Sequence, residues 1–300
     1  MKSLELIGNT PLFNIPNTNI YAKLEKYNLT GSIKDRTILG MVTKAKEKNL
    51  INENTIIVEA TSGNTGISIA ALAGILGFRA VIVMSESMSK ERREIIKAYG
   101  AQLVLTPKEL GTKGAIAKAK EIIENNKDAI GLDQFENLAN ADYHYETTAR
   151  EIFEQLPDLD IFVAGVGTGG TFTGVSRYLK EQNKNIITVA LEPEDSPAIS
   201  QGKSGVHRIQ GIGTGFIPGN FDRGVMDEVL TITNEEAIEE AKNFLLATGI
   251  GVGISSGAAI AGAKKLEKKY PNKKIVTILA DGIEKYLSVL KFPEINHVEI

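Results

Sequence analysis

The stretch Ile161-Phe162-Val163-Ala164-Gly165-Val166-Gly167-Thr168-Gly169-Gly170-Thr171 decides the fold. An apolar run of strand length passes directly into a glycine cluster, and helical sequence follows through Gln182. Strand, tight loop, helix is the repeating unit of a parallel sheet. The same alternation continues on both sides. Toward the N-terminus, Ile56 to Ala60, Ala80 to Met84 and Leu103 to Leu105 read as strands. Between and after them lie a helix opened by Thr61-Ser62-Gly63-Asn64 and running to Gly77, a charged helix capped by Ser89 through Tyr99, and a helix over Thr112 to Asn125. Toward the C-terminus, Ile187 to Leu191 and Ile275 to Ala280 are strands. Asn234 is the expected cap of a helix ending near Gly249, and an Ala-rich helix runs to Lys269. Leu12-Phe13 and Ile20 to Leu24 are placed as a pair at a sheet edge. The fold class is therefore α/β with mostly parallel sheets. An irregular stretch from Gln134 to His144 separates two blocks, which predicts two lobes and a cleft suited to a ligand.

Composition removes several classes of function. The chain has 300 residues, 42% apolar and 24% charged, with 34 Lys and Arg against 37 Asp and Glu for a net charge of −3. It contains no Cys. That excludes a disulfide framework, a thiolate nucleophile, an iron–sulfur cluster and a sulfur-ligated zinc. Mild acidity gives no electrostatic case for nucleic acid or an anionic membrane. Lys264-Lys265 and Lys268-Lys269 read as a solvated helix face. His144, His207 and His297 are scattered without metal spacing, so no metal is assigned. No signal-type or membrane-length apolar segment stands out, and the expectation is a cytoplasmic enzyme or binding protein. Gly, at 29 residues, exceeds the usual share of about 7%.

Those glycines gather in three loops. Gly165 to Thr171 lies between strand and helix, where backbone N–H groups receive a phosphate and Thr168 and Thr171 add hydroxyls. Gly165, Gly167 and Gly170 satisfy G-x-G-x-x-G, and Glu192 ends the next strand where a ribose-binding acid would stand, so a dinucleotide is one reading of this loop. The second loop, Glu59 to Gly66, concentrates Thr61, Ser62, Asn64 and Thr65 at a helix start, more polar groups than a cap requires, and suits a small carboxylate. The third, Gly251 to Ala258, alone reads as a helix cap by Ser255 or Ser256. Lys34, in Thr30-Gly31-Ser32-Ile33-Lys34-Asp35-Arg36, is either an ordinary surface lysine or a desolvated amine able to form a Schiff base.

Taken together, these segments resemble the cysteine synthase (O-acetylserine sulfhydrylase) family of pyridoxal-phosphate enzymes, with the tryptophan-synthase-β-like fold of the fold type II class. The resemblance runs from Leu6-Ile7-Gly8-Asn9-Thr10-Pro11-Leu12 to Tyr286-Leu287-Ser288. It includes Lys23-Leu24-Glu25, Gln134-Phe135-Glu136-Asn137, Gly211-Ile212-Gly213 and Gly253-Ile254-Ser255-Ser256-Gly257. A nicotinamide dehydrogenase would explain the first loop but neither Lys34 nor the second loop. The resemblance implies a small mobile lobe over residues 36–140 and a large phosphate-binding lobe of residues 1–35 with 141–300. It makes Lys34 the Schiff-base lysine and Asn64 the partner of the cofactor's O3′. Gly167, Thr168, Gly169, Gly170 and Thr171 become the phosphate cup, and Ser255 the partner of the pyridine nitrogen. Thr61, Ser62, Gly63, Thr65 and Gln134 become the substrate carboxylate site.

The activity implied is β-elimination and β-replacement at an amino acid through an α-aminoacrylate: O-acetylserine plus sulfide giving cysteine and acetate. Lys34 would move the Cα proton, and a neutral serine at the pyridine nitrogen would favour β-elimination over transamination. The alternative within the family is cysteine as substrate, with release of hydrogen sulfide or formation of lanthionine. A homodimer is implied, and the C-terminal tail of a serine acetyltransferase as a partner. The chain departs from the family pattern where prolines are usual, at Leu29, Ser85, Leu138 and Arg150 among neighbours that otherwise match. Relatives that make cystathionine carry an acid two residues after Gly-Ile-Gly; here Thr214 and Gly215 follow Gly213, which leans toward an activated serine ester as donor.

Overall fold

The computed structural model describes residues 2–61, 63–88, 90–287 and 290. Ser62, Ser89, Ser288 and His297, all named above, lie outside the described residues. In chain order the main elements are β1 (Leu12–Asn14), β2 (Ile20–Leu24), α1 (Lys34–Glu47), β3 (Ile56–Ala60), α2 (Asn64–Leu76), β4 (Arg79–Ser85) and α3 (Lys90–Ala98). Next come β5 (Gln102–Thr106), α4 (Gly111–Glu124), β6 (Ala129–Ile130), α5 (Ala139–His144), a π-helical turn (Tyr145–Ala149) and α6 (Arg150–Gln155). The chain continues through β7 (Ile161–Gly165), α7 (Gly170–Gln182), β8 (Ile187–Pro193), α8 (Ala198–Gln201), β9 (Glu228–Ile232), α9 (Asn234–Thr248), α10 (Ile254–Lys269) and β10 (Ile275–Leu279).

These strands form two sheets. One has six strands in the order β1-β2-β10-β7-β8-β9, and the other has four in the order β5-β4-β3-β6. Every pairing is parallel except β1 with β2, the edge hairpin. Parallel strands buried on both faces read as continuous apolar runs, and successive side chains enter opposite cores. Along β7, Ile161 and Val163 belong to one core while Phe162 and Ala164 belong to the other. In the smaller sheet, Ile57 and Ile82 face one cluster while Val58, Val81 and Val83 face another.

The sequence missed β6, which has only two residues, and β9, whose half-buried pattern Glu228-Val229-Leu230-Thr231-Ile232 closes the far edge against β8. The stretch from Gln134 to His144 is irregular only in part, because α5 begins at Ala139 and packs on α1 and α7. A six-residue helix is too short to show an amphipathic period. The cap of α9 is Thr233 rather than Asn234: its hydroxyl accepts from Glu236 N–H while the Glu236 side chain accepts from Thr233 N–H, a reciprocal capping box. No described helix is long and apolar enough to cross a membrane.

Candidate active site

The glycine loops after β7 and β3 sit at the carboxyl ends of strands in different sheets, where ligands of open α/β sheets bind. The loop after β7 is held in place by close backbone approach. A Cβ on Gly167 would overlap the carbonyl oxygen of Gly211, and one on Gly170 would overlap the Asn140 amide. Gly169, at φ +85, occupies the left-handed region and lies against the backbone of Phe221. Among the described residues, the N–H groups from Gly167 to Thr171 donate no hydrogen bond. Together with the N-terminus of the 13-residue α7 they form an anion-binding nest. Thr168 Oγ1 accepts from Asn140 Nδ2 at 3.0 Å, which leaves its proton available to a ligand. Thr171 Oγ1 lies 3.2 Å from His144 Nε2.

His144, to which the sequence assigned no metal, also reaches the nest through Thr171. It is buried, with Nε2 3.1 Å from Thr37 Oγ1 and Nδ1 2.8 Å from Thr148 Oγ1. Burial first, then the charges of Arg36 and Lys34, hold it well below the ordinary histidine range, so the ring is neutral at pH 7. A neutral ring both donates and accepts, so it orients these threonines without adding charge beneath the nest.

The dinucleotide reading of the loop fails on Glu192. Both its oxygens are already used at the start of α8, accepting from Ile199 N–H, Ser200 N–H and the Ser200 hydroxyl. The carboxylate is thus committed to the start of α8 instead of standing open to a ribose.

The second loop faces the nest from the smaller sheet. Thr65 Oγ1 donates to Gln134 Oε1 at 2.8 Å, and Gln134 Nε2 donates to Glu59 Oε1 at 3.3 Å. Thr65 and Gln134 thus meet as the sequence expects, backed by a carboxyl that it did not single out. Glu59 is buried, and burial pushes it up to about 7, aided by Asp133 and opposed by the Leu132 N–H and Gln134. Thr61 Oγ1 accepts from Gly63 N–H at 3.2 Å. Asn64 opens α2; its Nδ2 donates to Asp281 at 2.7 Å and its Oδ1 is buried without a partner among the described residues.

Lys34 is the first residue of α1 and is half-buried. Its Nζ donates no hydrogen bond among the described residues, and desolvation lowers it from the ordinary lysine range while the charge of Asp281 opposes that shift. The neighbours fix the turn. Asp35 accepts from Thr30 N–H, Thr30 Oγ1 and Ser68 Oγ, and Arg36 pairs with Glu25 and Glu151. Ser255 is buried at the start of α10, next to Gly211 of the loop that packs on the nest. It does not cap that helix, whose N-cap is Gly253 without a side-chain bond.

An anion nest, a desolvated amine and a buried amide with an open acceptor therefore converge between two sheets. Residues 4–281 match the family described as pyridoxal-phosphate dependent enzymes. The chain belongs to that family. Among pyridoxal-phosphate enzymes, a cysteine synthase B of Campylobacter jejuni is 49% identical over 290 residues, covering 96% of this chain and 97% of the relative. A crystal structure of cysteine synthase from Entamoeba histolytica superposes with a TM-score of 0.93 at 36% identity, covering 99% of this chain and 92% of that one. A hydrogen sulfide-producing enzyme of Fusobacterium nucleatum superposes with a TM-score of 0.91 at 40% identity, covering 95% and 97%. The cofactor of the family is pyridoxal phosphate, and the residues present fit it: a dianionic phosphate matches the free N–H groups of the nest, and an aldehyde matches the unpaired amine of Lys34.

Three contributors escaped the sequence. Glu59 sits within the quoted loop but carries no motif role. Arg92 of α3 reaches across the cleft, its Nη1 donating to Gln210 at 2.7 Å and its guanidinium lying 5.1 Å from the centre of the Tyr286 ring. Asp281 follows β10, and its place at a strand's carboxyl end was the one signal available.

Proposed function

We propose that the chain is a pyridoxal-phosphate β-replacement enzyme that converts O-acetylserine and sulfide into cysteine and acetate. The observation that carries this reading is the convergence of Lys34, Asn64, Ser255 and the Gly167–Thr171 nest in one cleft, in a chain 49% identical to a cysteine synthase over nearly its whole length. Lys34 holds the cofactor covalently, the nest and the Thr168 and Thr171 hydroxyls hold its phosphate, Asn64 meets its ring hydroxyl and Ser255 its pyridine nitrogen. When bound, the cofactor supplies an electron sink for loss of the Cα proton and of the β-substituent.

The chain's own groups do the rest. Thr61, Ser62, Gly63, Thr65 and Gln134 bind the substrate carboxylate. Thr65 turns its proton from Gln134 toward that carboxylate, and Glu59 keeps the Gln134 amide oriented meanwhile. Lys34 Nζ takes the Cα proton and later returns it; desolvation increases its neutral, basic fraction at working pH. Ser255, a neutral hydroxyl, leaves the ring nitrogen without the full positive charge that an acidic partner would enforce, which favours elimination over transamination. Residues 36–140 move as a small lobe over residues 1–35 and 141–300, closing the cleft around the amino acid. The working form is a cytoplasmic homodimer, with the C-terminal tail of a serine acetyltransferase as a peptide partner. Full-length resemblance to cysteine synthases supports both.

A second reading is favoured by the likeness to the hydrogen sulfide-producing enzyme: cysteine as substrate, with sulfide released. Thr214 and Gly215, where an acid would favour cystathionine chemistry, support the activated ester. Turnover of O-acetylserine with sulfide, compared with sulfide release from cysteine, separates the two. A kcat/KM at least tenfold higher for O-acetylserine is expected, and a preference for cysteine of similar size overturns the primary reading.

A further inference from the structure

The carboxyl end of β10 carries a buried acid that none of the steps above uses. Asp281 is 1% exposed. Its Oδ2 accepts from Asn64 Nδ2 and from the Tyr286 hydroxyl, both at 2.7 Å. Its Oδ1 is buried without a hydrogen-bond partner among the described residues, and a Cβ on Gly253 would overlap that oxygen. Asp281 makes no ion pair among the described residues.

Two lysines lie in its field. Lys285 is already committed, its Nζ donating to the carbonyls of Thr30 and Gly31 at 3.0 and 3.1 Å. Lys34 is not. The backbone before Lys34 is stitched to the strand end that bears Asp281: Ile33 N–H donates to the Ala280 carbonyl at 2.9 Å, and Ser32 bridges to Asp281 itself. The other charged or titratable groups around the pair are accounted for. Asp35 is occupied by Thr30 and Ser68, and Arg36 by Glu25 and Glu151. Arg92 faces Gln210 and the Tyr286 ring, and His144 is neutral.

From this arrangement we infer that Asp281 is a positioning residue for the reaction: its Oδ2 fixes the Asn64 amide across the cleft, and its charge holds the proton on the nitrogen of Lys34. Burial drives the Lys34 ammonium toward the neutral form, and Asp281 is the group that opposes it. A carboxylate thus opposes the fall of a desolvated lysine, while the hydrogen bond it accepts keeps the Asn64 amide in place. The inference rests on the reading of Lys34 as the cofactor lysine.

The test is a pH titration of the visible absorption of the pyridoxal-phosphate-loaded protein, with Asp281→Asn and Asp281→Glu alongside. Removing a unit charge near a buried nitrogen lowers its midpoint by roughly one unit or more. Asp281→Asn is expected to show that shift and to bind the cofactor about tenfold more weakly by equilibrium dialysis. Asp281→Glu, which keeps the charge, restores the midpoint. If the Asn variant does not fold, Asp281→Ser, neutral and smaller, carries the same expectation. An unshifted midpoint in the neutral variant overturns the inference. Lys34→Ala distinguishes the underlying reading: a visible band that survives it overturns the lysine assignment, whereas its loss beside an unshifted Asp281→Asn overturns only the role of Asp281.

Discussion

Gly167 has no spare room on its Cα side, because a methyl there would overlap the Gly211 carbonyl oxygen of the backbone. Gly167→Ala must displace one of two loops, at about 1–3 kcal/mol of overpacking. Since the nest depends on that fit, thermal melting and cofactor titration should fall together, and a variant that melts normally with unchanged cofactor affinity contradicts the packing argument. Glu59 makes a second residue-level prediction. Its folded value of about 7 lies above the ordinary 4.5, so the unfolded chain loses that proton first as pH rises. The group therefore costs nothing below about pH 4.5, and stability is lost as pH climbs to about 7, by roughly 3 kcal/mol. Glu59→Gln, which cannot ionise, should gain stability relative to the parent between pH 5 and 8 in paired thermal melts; a constant difference across that range contradicts the assignment. Lys34 and the glycines of the nest are legible in the sequence because each is a local pattern. Glu59 and Asp281 are not, because what raises one, its burial beside Asp133, and what commits the other, the Asn64 amide, arrive from residues distant along the chain.

Elements are pinned by a buried ionic cluster below the site. Arg36 of α1 pairs with Glu25, just after β2, and with Glu151 of α6, while Lys23 of β2 pairs with Glu151. Burial pushes Glu151 up, but the hydrogen bond and charge of Arg36, then those of Lys23, hold it at about 2. Its contribution is present above the ordinary 4.5 and is lost as pH falls toward 2. Arg36→Ala leaves Glu25 buried and unpaired, at roughly 3–5 kcal/mol. Chemical denaturation at pH 7 and pH 3 should show the variant far less stable at the first and closer to the parent at the second. An equal deficit at both excludes the pairing as the cause. This cluster also shows why long elements were readable and short ones were not. Buried parallel strands such as β7 and β10 announce themselves by apolar runs, whereas β6, β9 and α5 are short or half-polar and owe their state to the neighbours they pack on.

At the scale of the whole molecule, polar contacts link residues on the two sides of the site: Asn64 with Asp281, Arg92 with Gln210, and Gly219 N–H with Glu136. Such contacts are individually worth little net free energy and exchange readily with water or ligand, as the lobe movement proposed above requires. The fold class and the cleft were both legible from the alternation of strands and helices, whereas the bonds that span it were not. The proposed chemistry depends on one amine, that of Lys34. Borohydride reduction of the pyridoxal-phosphate-loaded protein, followed by peptide mass mapping, tests it directly. The reduced cofactor's added mass is expected on the peptide containing Lys34 and nowhere else. Modification of a different lysine, such as Lys285 or Lys23, or of none, would contradict it.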